Sequence, residues 1–363
     1  MTGWPIARRT GRGYPAPAST TSAKAASTKA MTPHPDPPIA HGGDLAAARR
    51  LFPGAPEPFL DLSTGINPHA YPLPELPREA FTRLPEPEAA ARLEALAAER
   101  FGAPSAGHVV SAPGTQILLP LVASLVAPGP ARVLGPTYAE HLRAAELAGH
   151  EGREVTRPEA LRGARLAVVV NPNNPDGRVL PRAALLKLAA GIKADGGLLA
   201  VDEAFVEAAA EDISLAGETD RAGLVVLRSF GKFYGLAGIR LGFAVAEPSA
   251  AARLRARLGP WAVSGPAIAI GAVALADGGW AARMRERLKN DALRLDGLLR
   301  SSGLRPRGGT ALFLLAEGPD DLFDRLGRRG ILVRRFPERP GLFRFGLPRD
   351  ERAWTRLATA LGA

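Results

Sequence analysis

Three short apolar runs each end in a polar cluster, and this arrangement limits the available folds more than any other feature. Val168-Val169-Val170 leads into Asn171-Pro172-Asn173-Asn174-Pro175, Leu199-Ala200-Val201 into Asp202-Glu203-Ala204, and Val225-Val226-Leu227 into Arg228-Ser229-Phe230-Gly231-Lys232. Short apolar runs alternating with helical stretches from about residue 105 onward argue for an α/β domain built on a mostly parallel sheet. The expected strands are 165–170, 197–201, 223–228 and 239–246. Ligands of open α/β sheets bind beyond the carboxyl ends of the strands, so the three clusters are expected to share one pocket. After about Pro260 the pattern changes to an apolar helix, a long charged helix from Trp280 to about Leu299, and short strands near Ala311 to Leu315 and Leu342 to Phe345. This second pattern reads as a smaller α+β domain.

Composition narrows the chemistry. The 363 residues, 46% apolar and 23% charged, match ordinary globular usage and exclude wholesale disorder, collagen and coiled coils. The absence of cysteine removes disulfides, thiolate nucleophiles, iron–sulfur ligation and Cys-containing zinc sites. The six histidines, His34, His41, His69, His108, His141 and His150, form no His-Glu-x-x-His and no helical pair, so no metal is expected. The longest apolar stretches, Ile117 to Ala127 and Ala267 to Ala276, fall short of the ~18 residues of a membrane span, and no membrane association is expected.

Net charge is +10, of which residues 1 to 35 contribute +5 through Arg8, Arg9, Arg12, Lys24 and Lys29. The remaining excess is scattered through helices, which suits a solvated surface better than a nucleic-acid footprint. Residues 1–37 lack hydrophobic periodicity and read as a disordered basic tail. That tail resembles a transit peptide in composition, but an upstream extension with Met31 as the true start is the simpler reading. The stretch from Gly11 to Ala16 matches a dinucleotide fingerprint only formally, since no strand precedes it and Pro15 interrupts any helix.

The clusters suggest one kind of chemistry. A lysine at a buried strand end, such as Lys232, becomes an aldehyde-reactive nucleophile when burial or a cationic neighbour lowers its pKa; alone, it would be a surface charge. Ser229, Arg240 and the helix opening at Gly114 and Thr115 could together meet a phosphate. Asp202 is either a helix N-cap or the partner of a buried cation such as a protonated pyridine nitrogen. Asn174 could donate to a phenolate oxygen, and Tyr138 could stack on a ring.

Asn171 to Gly177, Asp202 to Phe205 and Ser229 to Gly242 resemble the signature segments of the fold type I pyridoxal-phosphate enzymes of the class I/II aminotransferase superfamily. The resemblance covers roughly residues 38 to 363. It implies that Lys232 carries pyridoxal 5'-phosphate as a Schiff base, that Asp202 pairs with the ring nitrogen, and that Asn174 contacts the ring hydroxyl while Tyr138 stacks on the ring. It further implies that Gly114, Thr115, Ser229 and Arg240 hold the cofactor phosphate and that Arg344 binds the substrate carboxylate. The implied organisation is an arm over 38–76, a large cofactor-binding domain over 77–264 and a small domain over 265–363, in a cytoplasmic homodimer with active sites at the subunit interface.

Within that superfamily, His41-Gly42-Gly43-Asp44, Ser63-Thr64-Gly65-Ile66-Asn67-Pro68 and Trp261 to Pro266 look like the threonine-phosphate decarboxylase family of cobalamin biosynthesis. That resemblance implies PLP-dependent decarboxylation of L-threonine O-3-phosphate, with His41, Gly42, Gly43 and Asn67 beside Asn174 and Arg344 in the substrate site. The alternative is a histidinol-phosphate-type aminotransferase using 2-oxoglutarate. Against it stand Leu84, where those relatives carry a tyrosine that reaches the partner subunit, and Phe205, which lacks their hydroxyl. A non-catalytic regulator would need a DNA-binding module in front, and residues 1–37 contain no helix-turn-helix pattern.

Overall fold

Every residue of the segments Leu166–Val170 and Leu198–Asp202 is buried, which requires cover on both faces of the sheet they form. Alternation of side chains along the strands divides that cover into two layers. Val169, Leu199, Val201 and Val226 face one hydrophobic cluster, and Val168, Ala200, Val225 and Leu227 face the other. The first cluster takes in Leu185 and Ile192 of the helix Arg182–Ala194, with Leu93 of Pro87–Phe101 and Ile270 of Gly265–Ala276. Leu118, Leu119 and Val122 of the helix Thr115–Ala123 close the second.

The computed structural model describes residues 41–209, 213–221 and 223–362, so the expectations for residues 1–37, Met31 and the Gly11 to Ala16 stretch lie outside the described residues. Strands among the described residues are β1 (Leu60–Leu62), β2 (Val109–Ala112), β3 (Pro130–Leu134), β4 (Glu151–Val155), β5 (Leu166–Val170), β6 (Leu198–Asp202), β7 (Leu224–Ser229), β8 (Gly242–Ala246), β9 (Arg305–Thr310), β10 (Phe313–Glu317), β11 (Ile331–Arg335) and β12 (Leu342–Gly346). Seven of them form the large sheet in the order β2-β8-β7-β6-β5-β3-β4, parallel from β7 through β4, with β8 antiparallel to both neighbours. The other five form a second sheet in the order β1-β11-β12-β10-β9. β1 comes from the expected arm and pairs in parallel with β11, so the arm and the C-terminal segment share this smaller sheet. No single helix among the described residues is long and apolar enough to cross a membrane.

Two expected strands are corrected. The strand expected at 239–246 begins at Gly242, because Ala237–Ile239 is a 3-10 turn and Arg240 is left-handed at φ 54°. Ala311 and Leu312 are the turn of a hairpin rather than part of a strand over 311–315; β9 and β10 pair on either side of them. Composition hides β9, since Arg305-Pro306-Arg307-Gly308-Gly309-Thr310 carries no apolar alternation.

Leu199 is fully buried in the central parallel sheet. Leu199→Ala should therefore lower the unfolding free energy by about 2–5 kcal/mol, with an unchanged denaturant slope in urea titrations followed by circular dichroism.

Candidate active site

A cavity of about 240 Å³ lies at the carboxyl ends of β5, β6 and β7 and reaches Arg344 of the small sheet. Asp202, the last residue of β6, lines it while only 6% exposed. One carboxylate oxygen accepts the Ala204 amide at 3.0 Å, and the other meets Nε2 of His141 at 2.9 Å. Buried carboxylates need such partners to remain ionised.

β7 runs through Ser229 into the short helix Phe230–Phe233, which places Lys232 just beyond the strand end. Burial, reinforced by Arg344 and Arg240 and opposed by Asp202, pulls the Lys232 amine down to about 8. Its carbonyl accepts the Asn67 amide at 3.0 Å, so the arm holds this turn from behind.

Arg344 is 7% exposed. One terminal nitrogen donates to Oδ1 of Asn174 and the other to the Ser63 carbonyl at 2.7 Å, while the buried Nε finds no partner in the protein. Burial and the neighbouring Arg334 lower its pKa to about 10 against Asp61, which leaves it charged at neutral pH. Arg334 stands directly opposite Arg344 in the β11–β12 pairing.

At the other end of the cavity, Gly114 caps the helix Thr115–Ala123 without a side chain and with φ +85°. A Cβ at this position would stand 2.7 Å from Nη2 of Arg240. Helix amides, the Arg240 guanidinium and Ser229 thus converge on a space suited to an anion. Tyr138 forms a side wall, its hydroxyl donating to Oε1 of Gln116 at 3.1 Å. Burial, then Glu140 and Asp202, raise its phenol to about 12 despite Arg240, so it stays protonated.

The cavity brings together Lys232, Asp202, Tyr138, Asn174, Ser229 and Arg240, along with Gly114, Thr115, His41, Gly42 and Arg344. Gly43 and Asn67, expected in the substrate site, are not among its lining residues. The Gly43 amide is committed to Oγ of Ser63 at 2.7 Å. Asn67 is 2% exposed, with its side-chain nitrogen donating to the Phe233 carbonyl at 2.7 Å and its oxygen accepting the His69 amide at 2.8 Å. His41 reaches Oε1 of Glu140 at 3.1 Å. Sequence reasoning missed His141, Glu140 and Arg334; nothing in linear order ties His141 to Asp202, and only strand register brings Arg334 to Arg344.

The profile of the class I and II aminotransferases matches residues 59–361. The chain belongs to the class I and II aminotransferase family. It is 44% identical over 328 residues to the threonine-phosphate decarboxylase of Pseudomonas aeruginosa, covering 89% of this chain and 97% of that one. To the threonine-phosphate decarboxylase of a Sinorhizobium sp it is 44% identical over 329 residues, covering 89% and 98%. Among solved structures, the histidinol-phosphate aminotransferase of Sinorhizobium meliloti in complex with pyridoxal-5'-phosphate superimposes with a TM-score of 0.75 at 23% identity, covering 93% of this chain and 97% of that one.

Pyridoxal phosphate is the cofactor of this aminotransferase family, and the residues present fit it. An amine lowered to about 8 suits an aldehyde. The buried carboxyl group of Asp202 suits a protonated ring nitrogen, and the Gly114 cradle, which a Cβ would fill, suits a phosphate.

Only the neutral amine attacks an aldehyde, so uptake of pyridoxal phosphate by the apo-protein should slow about tenfold per pH unit below about 8 and level off above it. Stopped-flow absorbance checks this. Lys232→Ala should fold but fail to retain pyridoxal covalently after borohydride reduction; a labelled peptide elsewhere would reassign the lysine.

Proposed function

We propose that this chain decarboxylates L-threonine O-3-phosphate, releasing carbon dioxide and (R)-1-amino-2-propanol O-2-phosphate for cobalamin assembly. The observation that carries the reading is Arg344, a buried guanidinium with an unpartnered Nε in the same cavity as the depressed amine of Lys232. It supplies a carboxylate site beside the group that handles the substrate amine. The 44% identity to two threonine-phosphate decarboxylases over nearly their full lengths supports the choice of substrate.

Pyridoxal phosphate, when bound, supplies the electron sink for a broken Cα bond. Lys232 would hold the cofactor, Asp202 with His141 behind it would keep the ring nitrogen protonated, and Tyr138 and Asn174 would flank the ring. Gly114, Thr115, Ser229 and Arg240 would take the cofactor phosphate. Arg344 would orient the substrate carboxylate and so select which Cα bond breaks. The substrate phosphate needs a second cationic or amide-rich region, which His41 and Gly42 at the mouth provide. After carbon dioxide leaves, the Lys232 amine is placed to return a proton to Cα. We further propose a cytoplasmic homodimer; Leu84 is 64% exposed and would face the partner subunit in place of the tyrosine of aminotransferase relatives.

With L-threonine O-3-phosphate and no keto acid, mass spectrometry should find a product lacking the carboxyl group and retaining the amine. Unchanged substrate, together with turnover of histidinol phosphate and 2-oxoglutarate, would favour the aminotransferase reading. Arg344→Lys should raise KM for the substrate by about tenfold or more, because a point charge does not replace the planar fork.

A further inference from the structure

The loop that carries Asn174 meets the small sheet backbone to backbone. A Cβ on Gly177, at φ +71°, would stand 1.8 Å from the Gly309 carbonyl oxygen, and a Cβ on Gly308, at φ +150°, would stand 2.2 Å from the Asp176 carbonyl oxygen. No side chain fits on either side of this seam. The loop itself is stiff: Nδ2 of Asn173 donates to the Pro136 carbonyl at 2.9 Å and to Oδ1 of Asp176 at 2.7 Å, Oγ1 of Thr137 donates to Oδ1 of Asn173 at 2.7 Å, and the Gly177 amide donates to the Asn173 carbonyl at 2.8 Å.

The point of contact on the sheet has a definite register. Gly308 of β9 pairs with Leu315 of β10, Leu315 pairs with Arg344 of β12, and Arg344 pairs with Arg334 of β11. One rung therefore runs from the seam to the backbone of Arg344, two strand spacings or about 10 Å away. At one end of this rigid path stands the loop of Asn174; at the other, Arg344 donates to Asn174 itself. The path closes on itself, and its length depends on how closely Asp176 can approach Gly308.

We infer that the seam of Gly177, Gly308 and Gly309 is the positioning element for carboxylate recognition, setting the separation of Asn174 and Arg344 by direct backbone contact between the two sheets' loops. The inference rests on the reading of Arg344 as the carboxylate site. Adding one methyl group at Gly308 pushes the Asn174 loop off the rung and spreads the clamp, while the cofactor cradle at Gly114 and Arg240 and the substrate-phosphate region at His41 and Gly42 keep their own contacts.

Calorimetric titration of the wild-type and Gly308→Ala holoenzymes with two amine-free probes tests this. 3-Phosphoglycerate carries a carboxylate and a phosphate; glycerol 3-phosphate carries the phosphate alone. Gly308→Ala should weaken 3-phosphoglycerate about tenfold or more and glycerol 3-phosphate less than about twofold, since a displacement of about an ångström is enough to lose an oriented contact. Retained preference for 3-phosphoglycerate, or equal weakening of both probes, overturns the seam as a positioning element. A wild-type enzyme that binds both probes equally would remove the carboxylate role of Arg344 and the inference with it. Should Gly308→Ala not fold, amide exchange on the wild-type holoenzyme decides: 3-phosphoglycerate should slow exchange in 173–178 and 305–310 and glycerol 3-phosphate should not, and an identical response to both overturns the inference.

Discussion

A nucleophilic amine and a charged guanidinium share one buried cavity, and the rest of the structure is organised around keeping both there. Two cations in a poorly solvated space are costly to keep charged, so both are shifted toward their neutral forms. Burial is the first cause of both shifts: Lys232 falls from its ordinary value to about 8 with Arg344 adding to it, and Arg344 falls from its own to about 10 with Arg334 adding to it. The fold delivers these groups from different sheets, Lys232 from the end of β7 and Arg344 from β12. The influence of Arg344 on Lys232 is thus a product of how the sheets meet, and the arm residue Ser63, whose carbonyl accepts from Arg344, ties that junction on a third side.

Behind the cavity, the same strand ends are held by a buried ionic network. Successive residues of a strand point to opposite faces, so Asp202 and Ser229 face the cavity while their neighbours Glu203 and Arg228 turn away from it and meet at 3.1 Å. Arg228 also reaches Glu207, which receives Arg100 and Arg285 at 3.2 Å each. Glu203 further accepts Oγ of Ser214 and the Leu215 amide, both at 2.7 Å. Removing Arg228 would leave Glu203 buried without its arginine partner, at a cost of about 3–5 kcal/mol. The network therefore keeps the ends of β6 and β7 in one relative position, which is what Asp202 and Lys232 need to act on one bound ring.

Legibility in the sequence follows the physics of each element. β5, β6 and β7 were readable because strands buried on both faces are continuous apolar runs, and the residues at their ends, Asn174, Asp202, Ser229 and Lys232, inherited that clarity. β4 was not readable, because Glu151–Val155 is an edge strand with polar residues exposed to water, and β9 was not, because its glycines serve a close backbone contact rather than a core. His141 lies 61 residues from the carboxylate it holds, a distance that no local pattern spans. Asn67 is the opposite case: its motif is recognisable, but the sequence does not show that its side-chain nitrogen donates to the Phe233 carbonyl.

The choice of reaction depends on how tightly Arg344 grips. A carboxylate that leaves as carbon dioxide loses its charge in the transition state, so an interaction that is strongest with the bound carboxylate slows the step it orients. An arginine free to close its whole fork on the substrate would hold it too well. Here both terminal nitrogens already donate within the protein, one to Asn174 and one to the Ser63 carbonyl. Part of the fork is thereby fixed as a direction before any carboxylate arrives. Asn174 and the Ser63 carbonyl thus fix the direction of Arg344 at the place where the loop after β5, the arm and the small sheet meet.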